Sequence, residues 1–334
     1  MNLKHLSLAK RQDYENITVV PILSDTDTPF DVLDLKKGLK MGLVTIGECD
    51  STNVERVKLK NNSVSPLILL DGEEIAGSLQ NRIVAQTMII PPKSEMEIPV
   101  NCSEKGRNEY KSEFQYSDYI ANSNTRRKKA YNKNNPLQEV VWNSIDDLET
   151  DKNTSSKTKA LRDSYEKNKY DIDSYLKHFK MENNQIGVIC IVENKVGIEI
   201  FNNHSLYEKY DEMLLRSYII DSSSSEKINI SDKELENILA SINSESFIKK
   251  EAVGLGKYYK ISNSYGNGHI WSLKKLNGKN KMEVINYALF ILTVAMLIIT
   301  VIRYYKQILK KNQEVLLIAN IILLILCVLN LIYI

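Results

Sequence analysis

The chain has 334 residues, 44 of them basic and 42 acidic, for a formal charge of +2, with 43% hydrophobic residues and a mean hydropathy of −0.29. So much apolar content at so low a net charge excludes a wholly disordered chain. The near-exact cancellation of charge also excludes a general nucleic-acid binder, which needs an excess of cations to gather phosphates.

Residues 1–16 hold no apolar core of signal-peptide length, so the domain that follows is expected on the cytoplasmic side. Pro66-Leu67-Ile68-Leu69-Leu70 is an apolar run ending at Asp71-Gly72, as a buried strand would. Residues 82–90 and 95–102 flank Pro91-Pro92-Lys93-Ser94, which reads as the turn of a hairpin. In its second arm Met96, Ile98, Val100 and Cys102 alternate with polar residues or proline and form one buried face. Residues 103–135 are polar and Tyr-rich and carry Arg126-Arg127-Lys128-Lys129, so an exposed loop is expected there.

Further on, Val141, Ile145 and Leu148 recur at helical spacing behind Pro136. Residues 187–193 and 196–201 predict a second hairpin around Asn194-Lys195. Ser205-Leu206-Tyr207-Glu208 fits a capping box, with Leu206, Tyr210, Met213 and Tyr218 forming a face behind it. Residues 222–225 are a serine run, expected as a loop. Ser231-Asp232-Lys233-Glu234 is another capping box, opening a short helix through Ile242. Residues 1–275 are therefore expected to be an α+β cytoplasmic domain, strand-rich with several helices.

The C-terminus has a different composition. Residues 276–283 are basic, and 303–314 form a basic loop. The runs 284–302 and 315–334 carry no charge at all. Each uncharged run makes a helix of roughly 28–30 Å, the thickness of a bilayer core, and neither has a polar stripe. A two-span transmembrane hairpin is expected, with the lipid bilayer as partner. Lys274, Lys275, Lys279 and Lys281 before the first span balance Arg303, Lys306, Lys310 and Lys311 after it, so basic flanks do not orient it. Without an export signal, both the N-terminal domain and the C-terminus are placed in the cytoplasm. Asn320 inside the second span offers a hydrogen bond across helices, one route to a homo-oligomer. Residues 282–334 carry four basic and two acidic residues, so the whole formal charge belongs to them and residues 1–281 are neutral.

Cys49, Cys102, Cys190 and Cys327 are scattered, with no CxxC, as in a reducing compartment. With His5, His178, His204 and His269 they offer no zinc spacing, so neither a metal nor a cofactor is expected. Cys102, in phase with the apolar residues of its strand, reads as a structural thiol.

The most distinctive residues are Leu70-Asp71-Gly72-Glu73-Glu74-Ile75-Ala76-Gly77-Ser78-Leu79-Gln80-Asn81-Arg82 and, after the hairpin, Ile98-Pro99-Val100-Asn101-Cys102-Ser103-Glu104-Lys105-Gly106-Arg107. This order resembles the ARG and rhodanese-phosphatase-superfamily-associated protein domain family, which has Gly-Glu, then Gln-Asn-Arg, then a proline-entered strand, then Glu-x-Gly-Arg-Trp. Asn108 stands where the family usually has that Trp. Leu33-Asp34-Leu35-Lys36-Lys37-Gly38-Leu39 resembles the family's early helix. Blocks at 138–142, 156–158, 185–187 and 214–218 follow in the family's order, so the resemblance spans roughly residues 14–272. The family's association with ADP-ribosylglycohydrolase-type and phosphatase-type proteins implies a role around NAD-derived nucleotides or ADP-ribose.

The residues themselves suggest a site at the open end of the first hairpin, where Arg82 and Glu104 converge. Arg82 and Arg107 are placed to clamp a phosphate, and Gln80 or Asn81 to hydrogen-bond a ribose or base. Glu73 or Glu104 is placed to act as a general base. The competing reading is a structural network in which Arg82 pairs with Glu104. No catalytic motif decides whether the protein is an enzyme. The leading expectation is a membrane-anchored binding or sensor module for an NAD-derived or ADP-ribose-like nucleotide, with the hairpin as anchor or oligomeric effector. The alternatives are a membrane-anchored hydrolase of such nucleotides using Glu73 and Glu104, and a structural or interaction protein without a ligand.

Overall fold

The computed structural model describes residues 6–25, 31–49, 54–132, 135–192, 195–201, 203–223, 230–244, 248–263 and 266–272. These contain 17 strands and eight helices, the strand-rich α+β domain expected. They lie within Met1–Leu273, the first of two units into which the chain divides; Lys274–Ile334 is the second. The expected membrane hairpin at 284–302 and 315–334, with its basic flanks, lies outside the described residues. No helix among the described residues is long and apolar enough to cross a membrane.

One sheet is built on Ile17–Ser24 and Gln185–Val192, paired antiparallel with Ile189 opposite Val20. Leu6–Leu8, Gln12–Tyr14 and Lys195–Ile200 complete it. The two central strands read as nearly continuous apolar runs because both of their faces are covered. Val19, Val188 and Cys190 face Leu206, Leu214 and Tyr218 on one side. Val20, Ile22, Ile189 and Ile191 face Leu235, Ile238 and Leu239 of helix Asp232–Ser244 on the other. The expected hairpin closes with Val192 opposite Lys195.

A second, six-stranded sheet has the order Gln115–Ile120, Glu73–Ala76, Arg82–Val84, Ser94–Cys102, Arg56–Asn61, Val44–Glu48. Ser94–Cys102 is divided between two partners. Ser94 to Pro99 pair with Arg56–Asn61, and Val100 to Cys102 pair with Arg82–Val84. The predicted hairpin between 82–90 and 95–102 is therefore only half formed. The Ala85 N–H donates to the Pro99 carbonyl at 3.1 Å, but Pro99 has no N–H to return the bond, and the ladder stops there. The chain then leaves the sheet, and Met88–Ile90 pairs with Leu67–Leu69, which also lies parallel to Leu33–Asp34.

Two helix predictions hold closely. Leu137–Asp151 buries Val141, Ile145 and Leu148. Ser231 and Glu234 form a reciprocal capping box before Asp232–Ser244, with Glu234 Oε2 accepting from the Ser231 N–H at 2.8 Å. The capping box expected at Ser205 is replaced by Asn203, whose Oδ1 accepts from the Leu206 N–H at 2.9 Å. The face expected behind it is carried by two helices, His204–Glu208 and Asp211–Ile219.

The exposed loop expected at 103–135 is overturned. It contains the strand Gln115–Ile120 and the helix Ser123–Tyr131. Arg126 and Lys129, three apart, share the helix's inner face. Arg126 pairs with Glu199, donates to Ser217 Oγ at 2.8 Å and lies over the Tyr218 ring. Lys129 Nζ meets Asp71 Oδ1 at 2.5 Å. Lys128 points outward to Asp147. The helix N-terminus is capped from a distance: Asp221 accepts from the Asn124 N–H at 2.7 Å and from Ser123 Oγ at 2.6 Å.

Arg126→Ala would leave Glu199 without its cation against the core. Urea unfolding is expected to show a loss of about 3 kcal/mol, whereas Lys128→Ala on the outer face should change stability by less than about 0.5 kcal/mol.

Candidate functional site

Residues 77–81 connect Glu73–Ala76 to Arg82–Val84 through a turn that only its own residues allow. Gly77 has φ +123°, and a Cβ there would come within 2.5 Å of the Glu113 carbonyl. Arg107 holds this turn from outside. Its Nη1 donates to the Ser78 and Glu109 carbonyls at 2.5 and 2.9 Å, and its Nη2 to the Gly77 carbonyl and Asn81 Oδ1, both at 3.2 Å. Its Nε donates to Glu104 Oε2 at 2.9 Å.

Asn81 closes the ring of bonds. Its Oδ1 accepts from the Gly77 N–H at 3.0 Å, and its own N–H donates to Glu104 Oε2 at 3.2 Å. Burial alone would raise the Glu104 pKa. The bonds from Arg107, Thr158 and the Asn81 N–H outweigh it and hold the carboxylate below its usual range. The partner of Glu104 is thus Arg107, and the pairing of Glu104 with Arg82 considered from sequence is not formed. Asn81, Glu104 and Arg107 are brought together instead, with the Arg107 donors directed into the turn.

Arg82 sits differently. Its side chain is 0% exposed. Nη1 donates to the Gln80 carbonyl at 3.0 Å and reaches Gln80 Oε1 at 3.3 Å, but Nε and Nη2 have no hydrogen-bond acceptor. Glu48 Oε1, also without a hydrogen-bond partner, stands 3.8 Å from Nη2, beyond hydrogen-bond range.

Sheet register explains the encounter. Glu48 is opposite Val57, Val57 opposite Ile98, Ile98 shares a face with Cys102, and Cys102 is opposite Arg82. Both charges therefore emerge on the same face. Beside them, Gln138 accepts from the Cys102 N–H at 2.7 Å and donates back to its carbonyl at 2.9 Å. Burial pushes the Cys102 thiol up against the opposing pull of Arg82, as expected of a structural cysteine.

Glu73 is elsewhere. Fully buried, it accepts from the Leu70 N–H at 3.0 Å through Oε2, while Oε1 has no partner. Burial, reinforced by Asp34, overcomes that bond and pushes its pKa up to about 8. Its charged or titratable neighbours are Asp34, Tyr116 and Tyr210, none of them shared with Glu104. The next residue, Glu74, is the one that feels Glu104; it accepts from Ser117 Oγ at 2.6 Å and Ser103 Oγ at 3.1 Å.

Sequence reasoning missed Glu48. A signal exists: in Val44-Thr45-Ile46-Gly47-Glu48 the carboxylate falls in phase with the buried Val44 and Ile46. Among the described residues, no three His, Cys, Asp or Glu side chains are grouped to hold a metal.

The sequence profile of the ARG and Rhodanese-Phosphatase-superfamily-associated Protein domain matches residues 5–290. The chain belongs to this family. The match extends the resemblance at both ends and contains the whole Gln80–Arg107 region. No curated protein and no solved structure matches the chain. Within this family domain, the two elements of the site do different things: Asn81, Glu104 and Arg107 shape a turn, and Arg82 faces Glu48 with donors to spare.

The Glu73 carboxyl titrates at 4.5 when exposed and at about 8 in the fold. Between those values the folded state keeps a proton that the unfolded state has released. Its contribution is complete below pH 4.5 and is lost as pH rises towards 8, by up to about 1.4 kcal/mol per unit. Glu73→Gln, which cannot ionise, is expected to melt higher than the native chain at pH 8 and to lose that advantage near pH 4.5.

Proposed function

We propose that this domain is a small-molecule binding or sensor module whose ligand is a nucleotide of the NAD-derived or ADP-ribose-like class. The observation that carries the reading is Arg82, a buried guanidinium with two nitrogens that have no hydrogen-bond acceptor, facing a Glu48 oxygen without a hydrogen-bond donor across a loose ion pair of 3.8 Å. Leaving such groups unpaired costs on the order of 1–3 kcal/mol each, and a bound group that accepts from Arg82 while donating to Glu48 would recover it. A hydroxyl does both, as a phosphate ester alone does not. A sugar hydroxyl is therefore the part of a nucleotide that suits this pair, with Gln80 beside it. The family's association with ADP-ribosylglycohydrolase-type and phosphatase-type proteins supports the same class of ligand.

The hydrolase alternative needs Glu73 and Glu104 on one substrate, and their separate sets of neighbours do not favour that pairing. The membrane hairpin completes the proposal. The two uncharged runs, 284–302 and 315–334, would tether the domain on the cytoplasmic side and serve as its anchor or as an oligomeric effector.

Two experiments test these readings. ADP-ribose, NAD and cyclic nucleotides are each added to the full chain in a thermal-shift measurement. At saturation at least one is expected to raise Tm by about 3 °C, and Glu48→Gln should reduce that shift by more than half; no shift with any of them sinks the binding reading. For the tether, the full chain is expected to sediment with membranes and depolarise them on expression, and a chain ending before residue 284 to do neither.

A further inference from the structure

A cavity of about 620 Å³ lies among residues that take no part in the Arg82 site. Its volume is within the range of small-molecule sites, and its chemistry favours one charge. Glu15, at the tip of the hairpin between Gln12–Tyr14 and Ile17–Ser24, and Asp171, in the first turn of helix Lys169–Leu176, are among the residues that line it, and the charges of both act on Tyr175 in its wall. The helices Leu137–Asp151 and Asp211–Ile219 both end there, at Lys152 and Ile220, and bring two negative dipole ends to its wall. Lys152 supplies one positive charge, which it directs to the Ser222 carbonyl. Two carboxylates and two helix C-termini, against one ammonium and the N-terminus of helix Lys169–Leu176 at Asn168, leave the cavity electronegative.

The remaining lining fits a carbon chain. Ile172 and Ile220 are buried beneath it, and Tyr175 forms an aromatic wall. That ring is braced: Tyr14 meets it edge-on at 5.0 Å and is itself stacked on His178 at 3.6 Å. Burial pushes the Tyr175 hydroxyl up, a hydrogen bond with Ser222 opposes this, and Glu15 and Asp171 add to the rise, so both carboxylates act on the same spot.

We propose that this cavity binds a small organic cation, an aliphatic amine or guanidine, with its charged head between Glu15 and Asp171 and its carbon chain against Tyr175 and the isoleucines. An ammonium or guanidinium gains from both carboxylates and from the face of the tyrosine, whereas a phosphate-bearing ligand would be repelled.

Isothermal titration of the full chain with putrescine and with agmatine tests this, using 1,4-butanediol as the uncharged counterpart of putrescine. At least one amine is expected to bind at least tenfold more tightly than the diol. Glu15→Gln and Asp171→Asn alter exposed side chains and should each weaken amine binding by about threefold, the double variant by about tenfold. Glu48→Gln should leave amine binding unchanged, which separates this cavity from the Arg82 site. The proposal is overturned if neither amine binds, if the diol binds equally well, if the double variant binds the amine as well as the native chain, or if Glu48→Gln abolishes binding.

Discussion

The six-stranded sheet depends on one missing hydrogen-bond donor. Pro99 accepts from Ala85 but has nothing to donate, so the strand Ser94–Cys102 cannot pair along its full length with the segment that precedes it. Its first six residues go to Arg56–Asn61 and its last three to Arg82–Val84. Because one strand serves both partners, the alternation of side chains runs without a break from Val44–Glu48 across to Arg82–Val84. The meeting of Glu48 with Arg82 follows from that continuity, and so does the release of Met88–Ile90 to build a separate sheet with Leu67–Leu69. A full hairpin would have kept residues 82–90 in one sheet.

Features governed by a short repeat were legible in the sequence. The alternation through Met96, Ile98, Val100 and Cys102, the helical spacing of Val141, Ile145 and Leu148, and the capping box at Ser231 each rest on near neighbours in the chain. The family, too, was legible, because several ordered blocks carry it. What could not be read depends on partners far along the chain. Arg126-Arg127-Lys128-Lys129 has the composition of a solvated loop, and only Glu199 and Asp71, 73 and 58 residues away, turn two of the four inward. Part of the candidate site was legible in the same sense. Asn81, Glu104 and Arg107 lie within one folded-back segment that the sequence marked out, although the convergence expected there was of Arg82 with Glu104. Glu48 precedes that segment altogether, on a strand three places across the sheet from Arg82, and no local pattern joins the two.

Some of the charge in this domain is turned inwards. Arg126 with Glu199, Lys129 with Asp71 and Arg107 with Glu104 are ion pairs with at least one partner mostly withdrawn from water. Such pairs contribute little net stability, because desolvation offsets much of the attraction, but losing one partner is expensive. They act mainly as constraints on which arrangement is allowed: Arg126 fixes its helix against the strand of Glu199, Lys129 fixes the same helix against the turn at Asp71, and Arg107 fixes the 77–81 turn to Glu104. Against those pairs, Arg82 differs in having two buried nitrogens with no hydrogen-bond acceptor and only a 3.8 Å ion pair to Glu48.

Asp221 has a further consequence. Its carboxylate takes three donors at the start of Ser123–Tyr131, from Asn122, Ser123 and the Asn124 amide, and the next residue in the chain, Ser222, lies on the cavity wall. The helix that carries Arg126 and Lys129 is thus moored to the same short stretch of backbone that a cavity occupant would touch. A small displacement of that stretch would pull on all three bonds together, so tension applied at the cavity arrives at the root of a helix whose other end holds Asp71.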